Sequence, residues 1–562
     1  MLLAFFCRIF QLLFNFGAYL LPWRKAIRVE GAGCIKEIPG LLEANRKKKP
    51  LVVTDPGLVK AGIVSRITGV LDKSGVQYAL YGDVEANPSV NTVNKIFNLY
   101  RSESCDCFIA IGGGSAMDAA KAGAARIVKP GKTVNQMGGL FRVLKRLPFF
   151  IAVPTTAGTG SETTVAALIT DTETHHKYAI MDLSLVPRYA ILDPELTVGL
   201  PPFITATTGM DALTHAVESY ICWSMRTGET KRFSLDAVKA IFENLPKVYK
   251  NGADLEARQA MLTASYKAGA AFTRTSVGNI HSIAHTLGGL YNTPHGLANA
   301  VILPIVLEDY GKKVWKHLAK LADAAGIVKP SLSNEEKANV FIKAVYKMNE
   351  DMGIPKGFDF IKDEDIPQIT KWAFKESNPV YPVPVIYNRA RFTEIVELVK
   401  KKAIGTDKTA RASYKIGDKC IGCTACALRC PVFAITGERG KLHEINPLRC
   451  VECGVCGRVC PSDAISDSSG KAAVSVPRKL WQKPRFNTKL CSACGICVHD
   501  CTPGALAISL PKQRGDIHVY AELSASEKCV GCGICEKHCP LGAVTMAAPQ
   551  DNLKAAGAEA SP

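Results

Sequence analysis

Sixteen of the 21 cysteines fall into four copies of one spacing, all in the last quarter of a 562-residue chain. The copies are Cys420-x2-Cys423-x2-Cys426-x3-Cys430-Pro, Cys450-x2-Cys453-x2-Cys456-x3-Cys460-Pro, Cys491-x2-Cys494-x2-Cys497-x3-Cys501-Thr-Pro and Cys529-x2-Cys532-x2-Cys535-x3-Cys539-Pro. Thiolates at this spacing point three ligands at one cubane iron–sulfur cluster, and the cysteine before proline reaches the neighbouring cluster. Four runs imply four [4Fe–4S] clusters, built as two tandem two-cluster modules. The expected sets are Cys420, Cys423, Cys426 and Cys460; Cys450, Cys453, Cys456 and Cys430; Cys491, Cys494, Cys497 and Cys539; and Cys529, Cys532, Cys535 and Cys501. Cys501-Thr-Pro departs from the Cys-Pro ending by one inserted residue. Zinc ribbons use two close pairs per site, and a disulfide framework belongs to secreted chains. This much cluster iron points instead to a reducing, anaerobic cytoplasm. Cys7, Cys34, Cys105, Cys107 and Cys222 have no ligand spacing and read as small buried hydrophobes.

A second set of chemical residues lies upstream. GMDALTHAVESY (209–220) puts Asp211 and His215 four apart on one helix face, and HSIAHTLGGLYNTPHG carries His281, His285 and His295. Such i,i+4 pairs chelate a divalent ion; spacing alone leaves open which three histidines bind. GGGSAMD (112–118) follows a strand and opens a helix, so its glycines let backbone N–H groups approach a pyrophosphate at the helix N-terminus. The same Ser115 and Asp118 also suit a purely structural cap.

The elements that position these groups follow from the pattern. Short apolar runs (51–55, 78–82, 107–114, 149–156, 189–196) alternate with helical stretches, the mark of a parallel sheet of βαβ units over 25–204. From 205 to 403 the pattern is helical almost throughout. A polar linker (404–415) leads to cluster modules at 416–466 and 488–546. Between them, 467–487 reads as a basic linker, and 547–562 as a disordered tail. The fold class is therefore α/β, a Rossmann-like sheet domain plus an all-helical metal-binding domain, followed by two small α+β modules. The first 24 residues read as an amphipathic helix, with Arg8, Gln11 and Asn15 as its polar stripe. Those groups disfavour a membrane span. Docking on the chain's own domain or a partner subunit is expected, with an in-plane membrane helix as the alternative. The formal charge of +18 counts every cysteine as neutral; thiolates and oxidised cluster cores bring it to about +10. The basic excess thus partly offsets clusters and does not call for nucleic acid.

Residues 25–402 resemble the iron-containing, group III alcohol dehydrogenases. The resemblance rests on GGGSAMDAAK (112–121), PTTAGTGSE (154–162), DPELTVGLPP (193–202), GMDALTHAVESY and HTLGGLYNTPHGLANA (285–300). The cysteine runs resemble bacterial-type ferredoxins. The first resemblance implies metal ligands Asp211, His215, His281 and His295, with Fe²⁺ or Zn²⁺ bound, and places His285 beside the metal as a proton relay. It implies NAD(H) contacts from Gly112, Gly113, Gly114 and Ser115 with Asp118, from Thr155, Thr156, Thr159 and Ser161, and from Lys177. It also places Asp55 at the adenosine ribose. A carboxylate there accepts from a free 2′-hydroxyl and repels a 2′-phosphate, which favours NAD(H) over NADP(H); its alternative is a turn cap before Pro56.

The expected activity is hydride transfer between a small alcohol or aldehyde and NAD(H), by a cytoplasmic homo-oligomer. Hydride carries two electrons whereas each cluster takes one, and the sequence carries no flavin fingerprint to convert between them. The cluster region is therefore expected to dock a redox protein, an aldehyde:ferredoxin oxidoreductase or a flavoprotein. The alternatives are an electron-transfer subunit in which the dehydrogenase fold is secondary, and a glycerol-dehydrogenase-type polyol oxidoreductase.

Overall fold

Apolar runs buried on both faces build a six-stranded sheet at the heart of the N-terminal unit. In spatial order its strands are Ile27–Glu30, Tyr189–Leu192, Phe149–Pro154, Cys107–Gly112, Pro50–Val53 and Ala79–Tyr81, and every neighbouring pair is parallel. Pro50–Val53 and Cys107–Gly112 are buried along their whole length, as strands covered by helices on both faces must be. The chain runs from Pro50–Val53 outward to Ala79–Tyr81, then returns to Cys107–Gly112 on the other side. The order reverses between those two neighbours, and the crevice outside their C-terminal ends is where such sheets bind ligands.

The computed structural model describes residues 2–170, 177–404, 414–432, 434–445, 450–467, 470–488, 490–509, 519–539 and 541–548. The chain divides into two units, Met1–Gly405 and Thr406–Pro562. The expected linker over 404–415 and tail over 547–562 lie mostly outside the described residues.

From Pro202 the first unit is helical. The helices Pro202–Ile221, Gly228–Lys250, Leu255–Thr275, Asn279–Tyr291, His295–Tyr310, Ile366–Ser377 and Arg389–Ile404 pack around one apolar core. The turn at 155–163 fastens sheet to helices through glycines. A Cβ on Gly158 would stand 2.7 Å from the Thr208 carbonyl oxygen, and one on Gly269 would stand 2.9 Å from the Gly160 Cα. Gly160 itself needs a left-handed backbone, φ +60°. Lys121, wholly buried, ties the same turn down: its Nζ lies 2.6 Å from the Ser161 carbonyl oxygen and 2.8 Å from Thr164 Oγ1. Burial lowers this ammonium's pKa to about 8.

The N-terminal helix, Leu2–Tyr19, docks on its own unit through the expected polar stripe. Arg8 donates to the carbonyls of Val383 and Pro384 at 2.9 and 3.0 Å, and Gln11 to those of Pro379 and Tyr381 at 3.1 and 2.7 Å. Among the described residues no helix is long and apolar enough to cross a membrane.

In the second unit each cysteine run folds the same way. A short helix (Ala425–Arg429, Val455–Val459, Ile496–His499, Ile534–Lys537) starts between the second and third cysteines. The residue before it, Thr424, Gly454, Gly495 or Gly533, is left-handed with φ between 63° and 76°. The fourth cysteine of every run accepts a hydrogen bond from the amide four residues on: Ala434, Ala464, Ala505 and Ala543, at 3.2–3.3 Å. The third run therefore has the length of its sisters. Nothing is inserted after Cys501; Thr502 replaces the proline and Pro503 follows it. Part of the stretch expected as a basic linker belongs to the second module. Lys483–Phe486 is a strand paired antiparallel with Val544–Ala547, and Trp481 just before it is buried, so the second module begins earlier than its first cysteine suggests.

Replacing Gly269 with Ala should cost about 1–3 kcal/mol, because the added methyl meets the Thr163 hydroxyl and, at 2.9 Å, the Gly160 backbone, which cannot swing away as a side chain can. Gly289, on a helix with nothing within 4 Å of its would-be Cβ, is the control. Differential scanning calorimetry should show a lowered melting temperature for Gly269→Ala only; equal melting would contradict this account of the turn.

Candidate functional site

Two helices that must lie unusually close bring one set of donors together. Gly296 permits it, since a Cβ there would be 2.3 Å from the Thr207 carbonyl oxygen. This contact seats His295, first residue of its helix, against Asp211 on the helix Pro202–Ile221. His215 lies one turn further along that helix, and His281 comes from Asn279–Tyr291. One ligand atom from each of Asp211, His215, His281 and His295 lies within 4.8 Å of the other three. Asp211, His215 and His281 are buried, and the side chain of His295 is 31% exposed, so the cluster opens on the His295 side.

The orientation of the donors is fixed by neighbours. Glu218, one turn beyond His215, accepts backbone N–H bonds from Gly278 at 3.0 Å and Ile280 at 2.9 Å. Its Oε2 is 2.5 Å from His281 Nδ1, so Nδ1–H donates and Nε2 keeps its lone pair for the cluster. Burial pushes the Glu218 carboxyl upward while the backbone N–H groups of Ile280, Gly278 and His281 pull it back, and burial holds His281 well below the usual imidazole range, which keeps that ring neutral. His215 stacks on Phe272 at 4.1 Å. Asn299 Nδ2 lies 2.7 Å from Asp211 Oδ1, 3.0 Å from His281 Nε2 and 3.2 Å from His295 Nε2. Three lone-pair atoms thus aim at one region, and neutral imidazoles with one carboxylate suit a divalent first-row ion. The residues present fit such a metal.

His285 does not join the four. Its ring stacks on His295 at 5.1 Å, and its Nδ1 is 2.6 Å from Glu376 Oε1, which also accepts the Tyr381 hydroxyl at 2.8 Å.

At the sheet's crevice the structure brings together Asp55, Gly112 to Ser115, and Thr155, Thr156 and Thr159. Asp55 Oδ2 would be 3.5 Å from a Cβ on Gly112, while Gly113 and Gly114 face Thr156 and Thr159. Gly112 has φ +147° and opens directly into the helix Gly114–Val128. Asp55 also caps its own helix, Oδ1 accepting from Leu58 N at 3.0 Å, so the two roles weighed for it coexist geometrically. Asp118 is committed inside the fold: its oxygens accept from Ser161 Oγ at 2.8 Å and Leu168 N at 3.0 Å. Lys177 sits in the strand Lys177–Met181, paired with Thr170.

The four cysteine quartets each line a cavity of their own. Cys420, Cys423, Cys426 and Cys460 line one; Cys430, Cys450, Cys453 and Cys456 a second; Cys491, Cys494, Cys497 and Cys539 a third; Cys501, Cys529, Cys532 and Cys535 a fourth. The crossing of each fourth cysteine to its neighbour's quartet is the pattern expected for two-cluster modules. Four soft thiolate donors around each cavity fit an iron–sulfur cluster. Burial pushes the Cys456 and Cys535 thiols up to about 12, so ligation there would displace a proton.

Sequence reasoning missed Glu218, Glu376, Asn299 and Lys121. Glu218 had a signal, because it lies three residues from His215 and seven from Asp211 on the same helix face. Glu376 had none, being 91 residues from the histidine it holds.

The comparisons agree with this geometry. A model of the iron-containing alcohol dehydrogenase matches residues 27–194, and one of the Fe-containing alcohol dehydrogenase family's C-terminal part matches 205–402. Models of a 4Fe-4S dicluster domain match 419–464 and 490–544. The chain is 37% identical over 357 residues to an NAD-dependent methanol dehydrogenase of Bacillus methanolicus, covering 62% of this chain and 93% of the relative. It is 38% identical over 335 residues to a 1,3-propanediol dehydrogenase of Klebsiella pneumoniae, covering 59% and 86%. The crystal structure of a 1,3-propanediol oxidoreductase superposes with a TM-score of 0.65 at 33% identity, covering 68% of this chain and all of that one. The chain belongs to the iron-containing alcohol dehydrogenase family and carries two 4Fe-4S dicluster domains behind its dehydrogenase domains.

Proposed function

We propose that the chain transfers hydride between a small alcohol or aldehyde and NAD(H), and that Asp211, His215, His281 and His295 hold the divalent metal, Fe²⁺ or Zn²⁺. The observation that carries this reading is the convergence of those four donors within 4.8 Å in a pocket closed except beside His295. A bound ion supplies Lewis acidity toward the alcohol oxygen, lowering the cost of losing its proton. Nicotinamide supplies the hydride acceptor. The remaining work falls to the chain. Glu218 fixes the tautomer of His281, and the buried walls exclude water. His285, its Nδ1 engaged by Glu376, has Nε2 left to take the hydroxyl proton as alcohol becomes aldehyde. Gly112 to Ser115 and the Thr155, Thr156 and Thr159 turn line the dinucleotide crevice, and Asp55 meets the adenosine ribose. The relatives' names point to short alcohols and diols as the substrate class.

The second unit is the one-electron side of the proposal. Its quartets hold four [4Fe–4S] clusters and serve a redox protein of the aldehyde:ferredoxin oxidoreductase or flavoprotein kind, in an anaerobic cytoplasm. The dehydrogenase part assembles as a homo-oligomer.

His281→Ala should lose the divalent metal and at least about 10²-fold in alcohol turnover, while the broad visible cluster absorbance stays. Metal analysis and NADH-linked assays check this; retained turnover would refute the ligand assignment. Asp55→Ala should raise the KM for NAD⁺ by about 10-fold to 100-fold and narrow the preference over NADP⁺, the loss expected for one charged hydrogen bond. An unchanged NAD⁺/NADP⁺ ratio would leave Asp55 as a helix cap alone.

A further inference from the structure

Each cluster module has its own apolar core, and the cysteines are part of it. Cys426 and Cys456 are buried in the first core, with Cys420 and Cys430 packed against it; Cys497 and Cys535 are buried in the second, with Cys491 and Cys501 packed against it. The two quartets of one module are therefore neighbours by construction. A third, smaller core lies between the modules. Val455, Trp481 and Val530 form it, buried to 1%, 4% and 8% exposure, and Cys453 and Cys532 both pack against it.

The contacts across this seam are specific. Arg458 Nη2 donates to the Cys453 carbonyl at 3.1 Å and to the Gly531 carbonyl at 2.9 Å, so one guanidinium holds a loop from each module. The same guanidinium lies over the Trp481 ring at 5.8 Å, and Trp481 Nε1 donates to the Val476 carbonyl at 2.8 Å. Gly531 has φ +65°, and a Cβ there would be 2.8 Å from the Gln482 carbonyl oxygen and 3.3 Å from Arg458 Nη1. The equivalent cysteines of the other two runs, Cys423 and Cys494, are exposed. Exposed apolar side chains line the same cavities, Ile421 at 62% with Cys423 and Leu541 at 49% with Cys494.

We infer that the Arg458–Trp481 seam makes the Cys453 and Cys532 quartets the inner pair of a single row, so that the four sites follow the order first, second, fourth, third rather than chain order. The ends of the row, at Cys423 and Cys494 with their apolar rims, are the surfaces a one-electron redox protein meets. This rests on the four-cluster reading above. An electron moved between groups held at neighbouring sites oxidises one and reduces the other, with no bond made and no proton moved.

The test uses full-length, cluster-reconstituted protein reduced with dithionite, read by iron and sulfide content and by low-temperature EPR. The Cys423→Ala/Cys494→Ala protein should keep about half the iron and show the split, broadened signal of two interacting spins, because its remaining centres face each other across the seam. The Cys453→Ala/Cys532→Ala protein should keep as much iron but show two simple, non-interacting signals. Adding Arg458→Met to the first variant, which keeps the packing stem and removes both carbonyl bonds, should diminish the splitting while sparing iron. Half the iron with simple, non-interacting signals in Cys423→Ala/Cys494→Ala, or equal splitting in both double variants, would overturn the proposed order. A parent protein with too little iron and sulfide for four clusters would instead overturn the reading beneath it.

Discussion

A carboxylate and three imidazoles brought within 4.8 Å of one another in a buried pocket have their lone pairs pointed at the same space; the Asn299 amide meets three of them, and a divalent cation would meet all four. Much of the first unit's helical packing serves this arrangement. Gly296 lets one helix touch the Thr207 backbone of another, and without that approach His295 could not reach Asp211. Gly278 leaves room for the carboxylate of Glu218, and its amide is one of the donors that hold Glu218 in place. The sheet is coupled to the same helices through Gly158 and Gly160, so the crevice at the sheet's edge and the donor cluster are fixed to one scaffold. Distances between reacting groups are then set by backbone contacts, which vary less than flexible side chains do.

The second unit meets the same problem with softer donors. Sixteen thiols crowded into two small cores would be protonated or would repel one another as thiolates. Left-handed turns before each short helix and one amide bond to each fourth cysteine organise them instead into quartets. Modules this small have little apolar core of their own, and the cysteines supply much of what is buried.

What the sequence disclosed follows the range of the physics involved. Cysteine spacing, the i,i+4 pair Asp211 and His215, the glycine turn at 112–114 and the polar stripe of the first helix are local, and each appears where local rules put it. Glu376 and His285 are 91 residues apart, and Arg458 and Gly531 are 73 apart, so no local pattern announces either contact. Lys121 looks like an ordinary helix-surface lysine until the 155–163 turn folds over it. The basic stretch 467–487 illustrates a different failure. Its charge suggested solvent, but Trp481 anchors a module junction and the lysines and arginines beside it belong partly to a strand. In Cys501-Thr-Pro the proline moves by one residue but the run does not lengthen, since the Ala505 amide meets Cys501 Sγ as its counterparts meet theirs.

In the proposed function a two-electron, hydride-moving half is joined to a one-electron half, each with its own exchange partner. The measurement that tests this most directly is an anaerobic titration of full-length, cluster-replete protein with NADH and then with dithionite, followed by visible absorbance and low-temperature EPR. The account predicts that NADH leaves the cluster absorbance unbleached while dithionite bleaches it fully. Bleaching by NADH, with no flavin added, would contradict it, because the chain would then contain a centre that splits hydride into single electrons.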